Sequence, residues 1–154
     1  MGRKGSVSLR PAMENDVIDL LRVAASRLLP ARRVLAAYAF GSRLSGRPRP
    51  DSDLDVGYYL VGYRSGESLP LREEMQLASE LSAAAGLEVD LRDLAGTPLE
   101  LRGRVLEEGV RIFSGDPVER VALERELLSR YHDYKEEFRQ MHEIRLRRIA
   151  ERGL

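Results

Sequence analysis

Three aspartates in this chain have the spacing of a shared oxygen-rich site. Asp53 and Asp55 lie two residues apart where one apolar run begins, and Asp90 lies within another, Leu87–Leu91. Side chains alternate between the faces of a β-strand, so Asp53 and Asp55 share a face, and Asp90 can face the same side. Carboxylates this close repel one another unless a cation lies between them, and oxygen ligands suit Mg²⁺. The pattern therefore predicts a divalent-cation site.

The dipeptide Gly41-Ser42 ends the apolar run that precedes these acids. Glycine permits close approach to the backbone, and Ser42 offers a hydroxyl and an N–H where a strand gives way to a turn. Arg43 follows directly, and its guanidinium is suited to neutralising phosphate. A cation held by carboxylates beside a phosphate cradle indicates phosphoryl or nucleotidyl transfer.

Each of these features also has a simpler interpretation. An Asp-x-Asp pair alone fits a solvated strand end, and Ser42 alone fits a helix N-cap. Asp51 lies in a turn of ordinary composition and is interpreted as a turn residue. For the third carboxylate, Glu88 shares the face of Asp90 by parity and Asp93 is close by, so both remain alternatives.

The surrounding sequence predicts helices alternating with strands. Apolar periodicity predicts three helices, over residues 14–29, 71–85 and 98–108. Short apolar runs predict four strands, over residues 33–40, 54–61, 87–91 and 109–113. This order indicates an α/β (α+β) domain with a small mixed sheet backed by helices. Tyr59 shares the face of Asp53 and Asp55, where it either lines the site or packs in the core.

A long helix is predicted for the C-terminal segment. Asp116-Pro117 is a good N-cap followed by a good first helical residue, and no glycine or proline follows until Gly153. Its apolar residues recur every three or four positions: Leu123, Leu127, Tyr131, Tyr134, Phe138, Met141 and Ile144. This stripe fits packing on the core, in a homo-oligomer or on a partner chain. We expect a flexible extension over 1–12, a core over 13–115 and this helix over 116–154.

Composition argues against several classes of protein. The 154 residues fit one domain, and 25 basic against 25 acidic residues argue against direct nucleic-acid binding. The absence of cysteine excludes a disulfide scaffold and a thiolate zinc site. No apolar run approaches the roughly 18 residues of a membrane span, and no secretory signal pattern opens the chain. The expectation is a cytoplasmic protein without membrane contact.

The spacing of the candidate residues resembles a known signature. Ser42, ten intervening residues and Asp53-x-Asp55 are similar to the GS-x10-DxD signature of polymerase-β-like nucleotidyltransferases, and Asp90 in LEVDL matches their third carboxylate. The short chain, the stretches YAFGSRLSG and PDSDLDVGYYL, and the long terminal helix resemble the minimal nucleotidyltransferase (MNT) antitoxins encoded beside HEPN ribonuclease toxins. The resemblance covers residues 14–150, and the signature is more specific than the tail.

The resemblance implies a polymerase-β-like fold and a mechanism. Asp53 and Asp55 would hold two Mg²⁺ ions, and Asp90 would complete the catalytic ion's site and help to activate an acceptor hydroxyl. Gly41 and Ser42, with Arg43, would bind the phosphates of ATP. The acceptor oxygen would attack the α-phosphate, and pyrophosphate would leave. In MNT antitoxins the acceptor is a tyrosine of the HEPN toxin, so the expectation is a protein adenylyltransferase that disables its toxin partner.

Two other functions remain open. One is a small-molecule adenylyltransferase of the aminoglycoside-modifying kind, although those enzymes usually carry an additional helical domain. The other is a non-catalytic module that neutralises its partner by occlusion, although such a module would not need all the acidic residues. Arg125, His132 and Tyr134 also match the RX4-6HXY pattern of HEPN toxins. We interpret that match as coincidence, because too few residues follow the core to build a second helical domain.

Overall fold

The computed structural model describes residues 3–41 and 54–153, with side chains of the first helix described from residue 15 onward. Its helices are α1 (Arg3–Leu28), α2 (Leu71–Ala85), α3 (Leu99–Glu108) and α4 (Pro117–Glu151). Its strands are β1 (Val34–Phe40), β2 (Leu54–Leu60), β3 (Val89–Asp93) and β4 (Val110–Ser114). Short 3₁₀ turns cover Pro30–Arg32, Tyr63–Ser65 and Leu94–Gly96.

The four strands form one mixed sheet in the order β3-β2-β1-β4. β1 pairs antiparallel with both β2 and β4, whereas β2 pairs parallel with β3. A parallel pair needs a crossover connection, and α2 provides it between these two strands. The sheet is therefore the small mixed sheet that the sequence predicts, and the expected fold class is confirmed.

Helices cover both faces of the sheet. On one face, α1 and α2 pack over alternate strand residues that include Leu54, Val56 and Tyr58. On the other face, α3 and the first half of α4 pack over residues that include Tyr38 and Tyr59. We call the second face the α3/α4 face. Because strand side chains alternate, Asp55 belongs to this second face, together with Tyr59.

The helix boundaries follow local signals, with one difference from prediction. The Asp116 carboxylate accepts a hydrogen bond from the backbone N–H of Val118 at 2.9 Å, so it caps α4 as expected. Gly86 ends α2 in the left-handed conformation, with φ of 73°. α1, in contrast, begins at Arg3 rather than at residue 14, and it continues through Pro11. One proline removes a single backbone donor, which a long helix can accommodate. That 1–12 is a flexible extension stays a prediction.

The long C-terminal helix lies partly on the core and partly outside it. Leu123, Leu127 and Tyr131 are buried, whereas Tyr134 and Phe138 further along the same stripe are exposed. The predicted stripe therefore serves core packing only in its first half. Among the residues that the structure describes, no helix combines the length and apolarity needed to cross a membrane.

Candidate active site

Two of the predicted carboxylates lie side by side on neighbouring strands. Asp55 is the second residue of β2, Asp90 is the second residue of β3, and the parallel ladder pairs them directly. Adjacent strands lie roughly 4.8 Å apart, so the two side chains leave the sheet side by side. Their apolar neighbours on both strands pack against α1 and α2, which directs both carboxylates to the opposite, α3/α4 face. We call this pair, with Gly41, the acidic edge.

Gly41 lies against the Asp55 carboxylate. Phe40, the last residue of β1, pairs with Asp55, and the chain leaves the strand at Gly41 with φ of +107°. A Cβ atom at position 41 would overlap the Asp55 Oδ2 atom. Glycine is therefore required for two reasons, the backbone conformation and the space that the carboxylate occupies. The structure brings Gly41 and Asp55 together, as the spacing predicts.

Arg92 is a site neighbour that the sequence reasoning missed. Its Nε and Nη2 atoms both lie 3.4 Å from Asp90 Oδ2. The side chains are about half exposed, at 50% for Arg92 and 47% for Asp90. Such surface pairs contribute at most about 1 kcal/mol, so Asp90 stays accessible to a cation or an acceptor group. The available signal was period two along β3, which places Arg92 on the face of Asp90.

The alternatives to Asp90 lie in different positions. The Asp93 carboxylate accepts a hydrogen bond from the Ala95 N–H at 3.1 Å and caps the turn that follows β3. Burial raises the pKa of Asp93, and the bond from Ala95 partly opposes this shift. By strand alternation it lies on the face opposite Asp90. Glu88 is exposed and precedes β3, and its carbonyl accepts a hydrogen bond from the Leu54 N–H at 3.0 Å. The geometry therefore favours Asp90 as the partner of Asp55.

Ser42, Arg43 and Asp53 lie outside the described residues. Their places in the site, and with them the phosphate cradle and the second half of the Asp-x-Asp pair, stay predictions. Within 3–41 and 54–153, no three acidic or histidine side chains are grouped closely enough to hold a metal. Asp55 and Asp90 nevertheless provide oxygen ligands only, which is the donor set that Mg²⁺ prefers.

Tyr59 packs in the core rather than lining the acidic edge. It is 1% exposed, and its ring meets those of Tyr38 and Tyr63 edge-on, with centroids 6.5 and 5.6 Å apart. Burial is the main cause of its raised pKa. It follows Asp55 by four residues on β2, about 13 Å along the strand. The packed interpretation of this tyrosine is the correct one.

His132 and its neighbours join two helices. The His132 Nε2 atom lies 3.2 Å from Glu107 Oε2, and Lys135 Nζ lies 3.2 Å from the other oxygen of the same carboxylate. These hydrogen bonds lower the pKa of Glu107. The contacts give His132 a structural position between α3 and α4, consistent with treating the RX4-6HXY match as coincidence.

Comparison with known families identifies the class of protein. The family model described as "Polymerase beta, Nucleotidyltransferase" matches residues 12–118, which is more than half of the chain and includes all three candidate aspartates. The chain therefore belongs to the polymerase-β nucleotidyltransferase family. A comparison with curated proteins finds no significant match.

Solved structures of toxin–antitoxin pairs share this fold. A chain from a toxin–antitoxin with AMP-PNP has a TM-score of 0.58 at 20% identity, covering 81% of this chain and 98% of its own. A chain from the MntA–HepT toxin–antitoxin has a TM-score of 0.52 at 20% identity, covering 88% of this chain and 98% of its own. A chain from a tri-AMPylated Shewanella oneidensis HEPN toxin in complex with MNT antitoxin gives 0.51 at 20% identity, with coverage of 89% and 98%. At such identity the likeness shows the fold alone.

Proposed function

We propose that this protein is the antitoxin of a HEPN/MNT pair, a cytoplasmic Mg²⁺-dependent enzyme that transfers AMP from ATP to a tyrosine of its HEPN toxin. The observation that carries the proposal is the direct pairing of Asp55 and Asp90 across β2 and β3, with Gly41 against the first carboxylate. A purely occluding module has no need for two mutually repelling carboxylates in register.

The fold neighbours support the toxin as acceptor. One of them was solved with AMP-PNP, and another pairs an MNT antitoxin with a tri-AMPylated HEPN toxin. This chain covers 98% of each of those matched chains. The same nucleotide, the same acceptor and the same kind of partner are therefore what we assign to this protein.

Each candidate site residue, within the acidic edge or outside the described residues, has a role in the proposed transfer. Asp53, Asp55 and Asp90 would hold Mg²⁺, which when bound supplies positive charge against the triphosphate and the leaving pyrophosphate. Gly41 leaves free the space that the Asp55 carboxylate occupies, and Ser42 and Arg43 would bind the β- and γ-phosphates. Asp90 would help to take the proton of the acceptor hydroxyl.

The reaction forms one bond and breaks another. The acceptor oxygen bonds to the α-phosphorus, and the bond from that phosphorus to the bridging oxygen breaks, releasing pyrophosphate. Arg92 lies beside Asp90 and would offer a second cation to the developing negative charge.

The test is transfer of label from ATP carrying a labelled α-phosphate. The protein, Mg²⁺ and the toxin encoded beside it are incubated together, and label should appear on a toxin tyrosine while toxicity is suppressed. The double variant Asp53→Asn/Asp55→Asn should abolish labelling. Glu88→Gln is the matched control, because Glu88 is acidic, exposed and two residues from Asp90, and it should label normally.

Other outcomes would identify the alternative functions. Full suppression of toxicity by the double variant, without label on the toxin, would show neutralisation by occlusion. Label on an aminosugar rather than on the toxin would show a small-molecule adenylyltransferase. Either result overturns the proposed function.

A further inference from the structure

A pocket lies on the α3/α4 face, at the end of β2 away from the acidic edge. It has a volume of about 140 Å³. Tyr59 contributes to it from β2, Arg64 from the turn after that strand, Arg102 from α3, and Glu126 and Arg130 from α4. Along β2 this pocket is about 13 Å from Asp55, so it is distinct from the acidic edge. We call it the arginine pocket.

Two buried donors of the arginine pocket lack partners. The Tyr59 hydroxyl and the Arg102 Nε are both buried, and neither has a hydrogen-bond partner among the residues that the structure describes. Buried polar groups in folded proteins are nearly always hydrogen-bonded. Both groups can donate, and Arg102 Nε can do nothing else. Burial raises the pKa of Tyr59 and the Arg102 charge partly opposes this shift, so the two groups are neighbours. An acceptor placed between them would satisfy both.

The charges around the pocket favour an anion. Arg64 already donates to the Tyr63 hydroxyl at 2.9 Å and forms an ion pair with Glu126. Arg102 and Arg130 have no salt bridge with any carboxylate of the described residues. The one acidic side chain of the pocket is thus engaged, and two guanidinium groups remain. Arginine recognises phosphate well, because its planar donors match the oxygens.

We propose that the arginine pocket binds a phosphate group. One oxygen accepts hydrogen bonds from the Tyr59 hydroxyl and the Arg102 Nε, and Arg130 at the rim neutralises the remaining charge. The cavity, with a volume of about 140 Å³, is large enough for several water molecules. That space holds the five non-hydrogen atoms of one phosphate, supplied either as the free ion or as the end of a phosphomonoester.

Binding is measured by calorimetry and thermal melts on the full chain, without ATP or toxin and with a chelator present. Sodium phosphate is compared with sodium chloride at equal ionic strength, because general charge screening acts in both. We expect phosphate, and not chloride, to raise the melting temperature. Arg102→Gln should weaken phosphate binding at least tenfold. Arg104→Gln is the matched control, because Arg104 is exposed on the same helix and pairs with Glu108 at 3.9 Å.

Tyr59→Phe gives a second test, in which the stabilities of variant and wild type are compared without and with phosphate. The variant keeps the ring and removes only a hydroxyl that has no partner among the described residues. In phosphate-free buffer it should be at least as stable as the wild type, because an unpaired buried hydroxyl is unfavourable. In phosphate the order should reverse, since only the wild type gains the additional hydrogen bond. This variant decides the matter even if Arg102→Gln fails to fold.

A further ligand distinguishes the free phosphate ion from a phosphomonoester, and a further variant distinguishes the arginine pocket from the acidic edge. Binding of glycerol phosphate, a phosphomonoester without a nucleobase, at least tenfold tighter than inorganic phosphate would indicate a phosphomonoester, and equal binding would indicate the free ion. Asp55→Asn should leave phosphate binding unchanged. Loss of binding in that variant, equal binding by Arg102→Gln and Arg104→Gln, or no difference between phosphate and chloride would each overturn the proposal. All these measurements omit ATP and toxin, so they do not depend on the proposed transfer reaction.

Discussion

The α3/α4 face of the sheet has opposite chemistry at its two ends. At the acidic edge, Asp55 and Asp90 emerge from adjacent strands, the first half-buried and the second exposed. At the arginine pocket, the Tyr59 hydroxyl and the Arg102 Nε are buried without partners among the described residues. One end brings two carboxylates together, and the other holds buried hydrogen-bond donors. The first is suited to holding a cation during chemistry, and the second to binding an anion.

The two ends also differ in how they are assembled. The acidic edge comes from neighbouring strands, so strand alternation and register are enough to bring its residues together. The arginine pocket takes residues from β2, the following turn, α3 and α4, and it exists only after both helices pack. A site built on the sheet alone tolerates changes in α3 and α4 that a site built between elements does not.

The largest effect is expected from replacing Asp90, the β3 carboxylate on the α3/α4 face. Asp90→Asn should lower the rate of AMP transfer roughly 10²–10³-fold, as the loss of one charge-stabilising group does in other enzymes. Asp93→Asn, three residues along the strand on the other face, should change the rate little. Initial rates of label transfer to the toxin measure both. Equal losses in the two variants would contradict the assignment of Asp90.

A smaller loss is expected when Gly41 becomes alanine. The new Cβ would overlap Asp55 Oδ2, and φ of +107° is unfavourable for alanine. The Asp55 carboxylate must move, and a displacement of about 1 Å can cost up to about 10²-fold in rate. Gly86→Ala is the control, because Gly86 also has positive φ, at 73°, but nothing lies within 4 Å of the added atom. Only the first variant should lose transfer activity beyond its loss of stability.

Gly103→Ala should affect the arginine pocket, at the other end of the α3/α4 face. A Cβ atom at Gly103 would overlap the Tyr131 ring, where α3 packs on α4. Overpacking of this kind costs about 1–3 kcal/mol, measurable by denaturant unfolding. Because Arg102 is the preceding residue, phosphate binding should weaken while transfer is retained. Gly96→Ala, with nothing within 4 Å, is the control. Loss of transfer with intact phosphate binding would show that the two ends are not independent.

The smallest effect is a pH dependence that comes from Asp93. Burial raises its folded pKa above the ordinary value of 3.8, so the folded state holds the proton more tightly than the unfolded state. Its contribution to stability is present at low pH and is lost as pH rises from 3.8 through the folded pKa. Asp93→Asn should flatten this part of the curve, as measured by unfolding at several pH values. An unchanged slope would remove Asp93 as the cause.

The sequence was sufficient for the number and order of the strands and helices and for the shared face of Asp55 and Asp90, although β3 covers Val89–Asp93 rather than 87–91. Period two placed Asp55, Asp90 and Tyr59 on one face, because that face is set by local alternation. The start of α1 at Arg3 was not anticipated, since glycine and proline near the terminus are weak helix signals. Arg92 was missed although the same parity indicates it. The arginine pocket could not be predicted, because it depends on how α3 and α4 pack.

The last part of α4 has a consequence for the behaviour of the chain in solution. From Glu136 to Glu151 every residue is exposed, and at about 1.5 Å per residue this segment extends roughly 24 Å. The described side-chain bonds within it, such as Arg139 to Glu136 and to Glu143, join neighbours on the same helix. A helix held only by itself is marginal at this length. Its amides should therefore exchange with solvent much faster than those around Leu127, and any surface that covers them would make them slow.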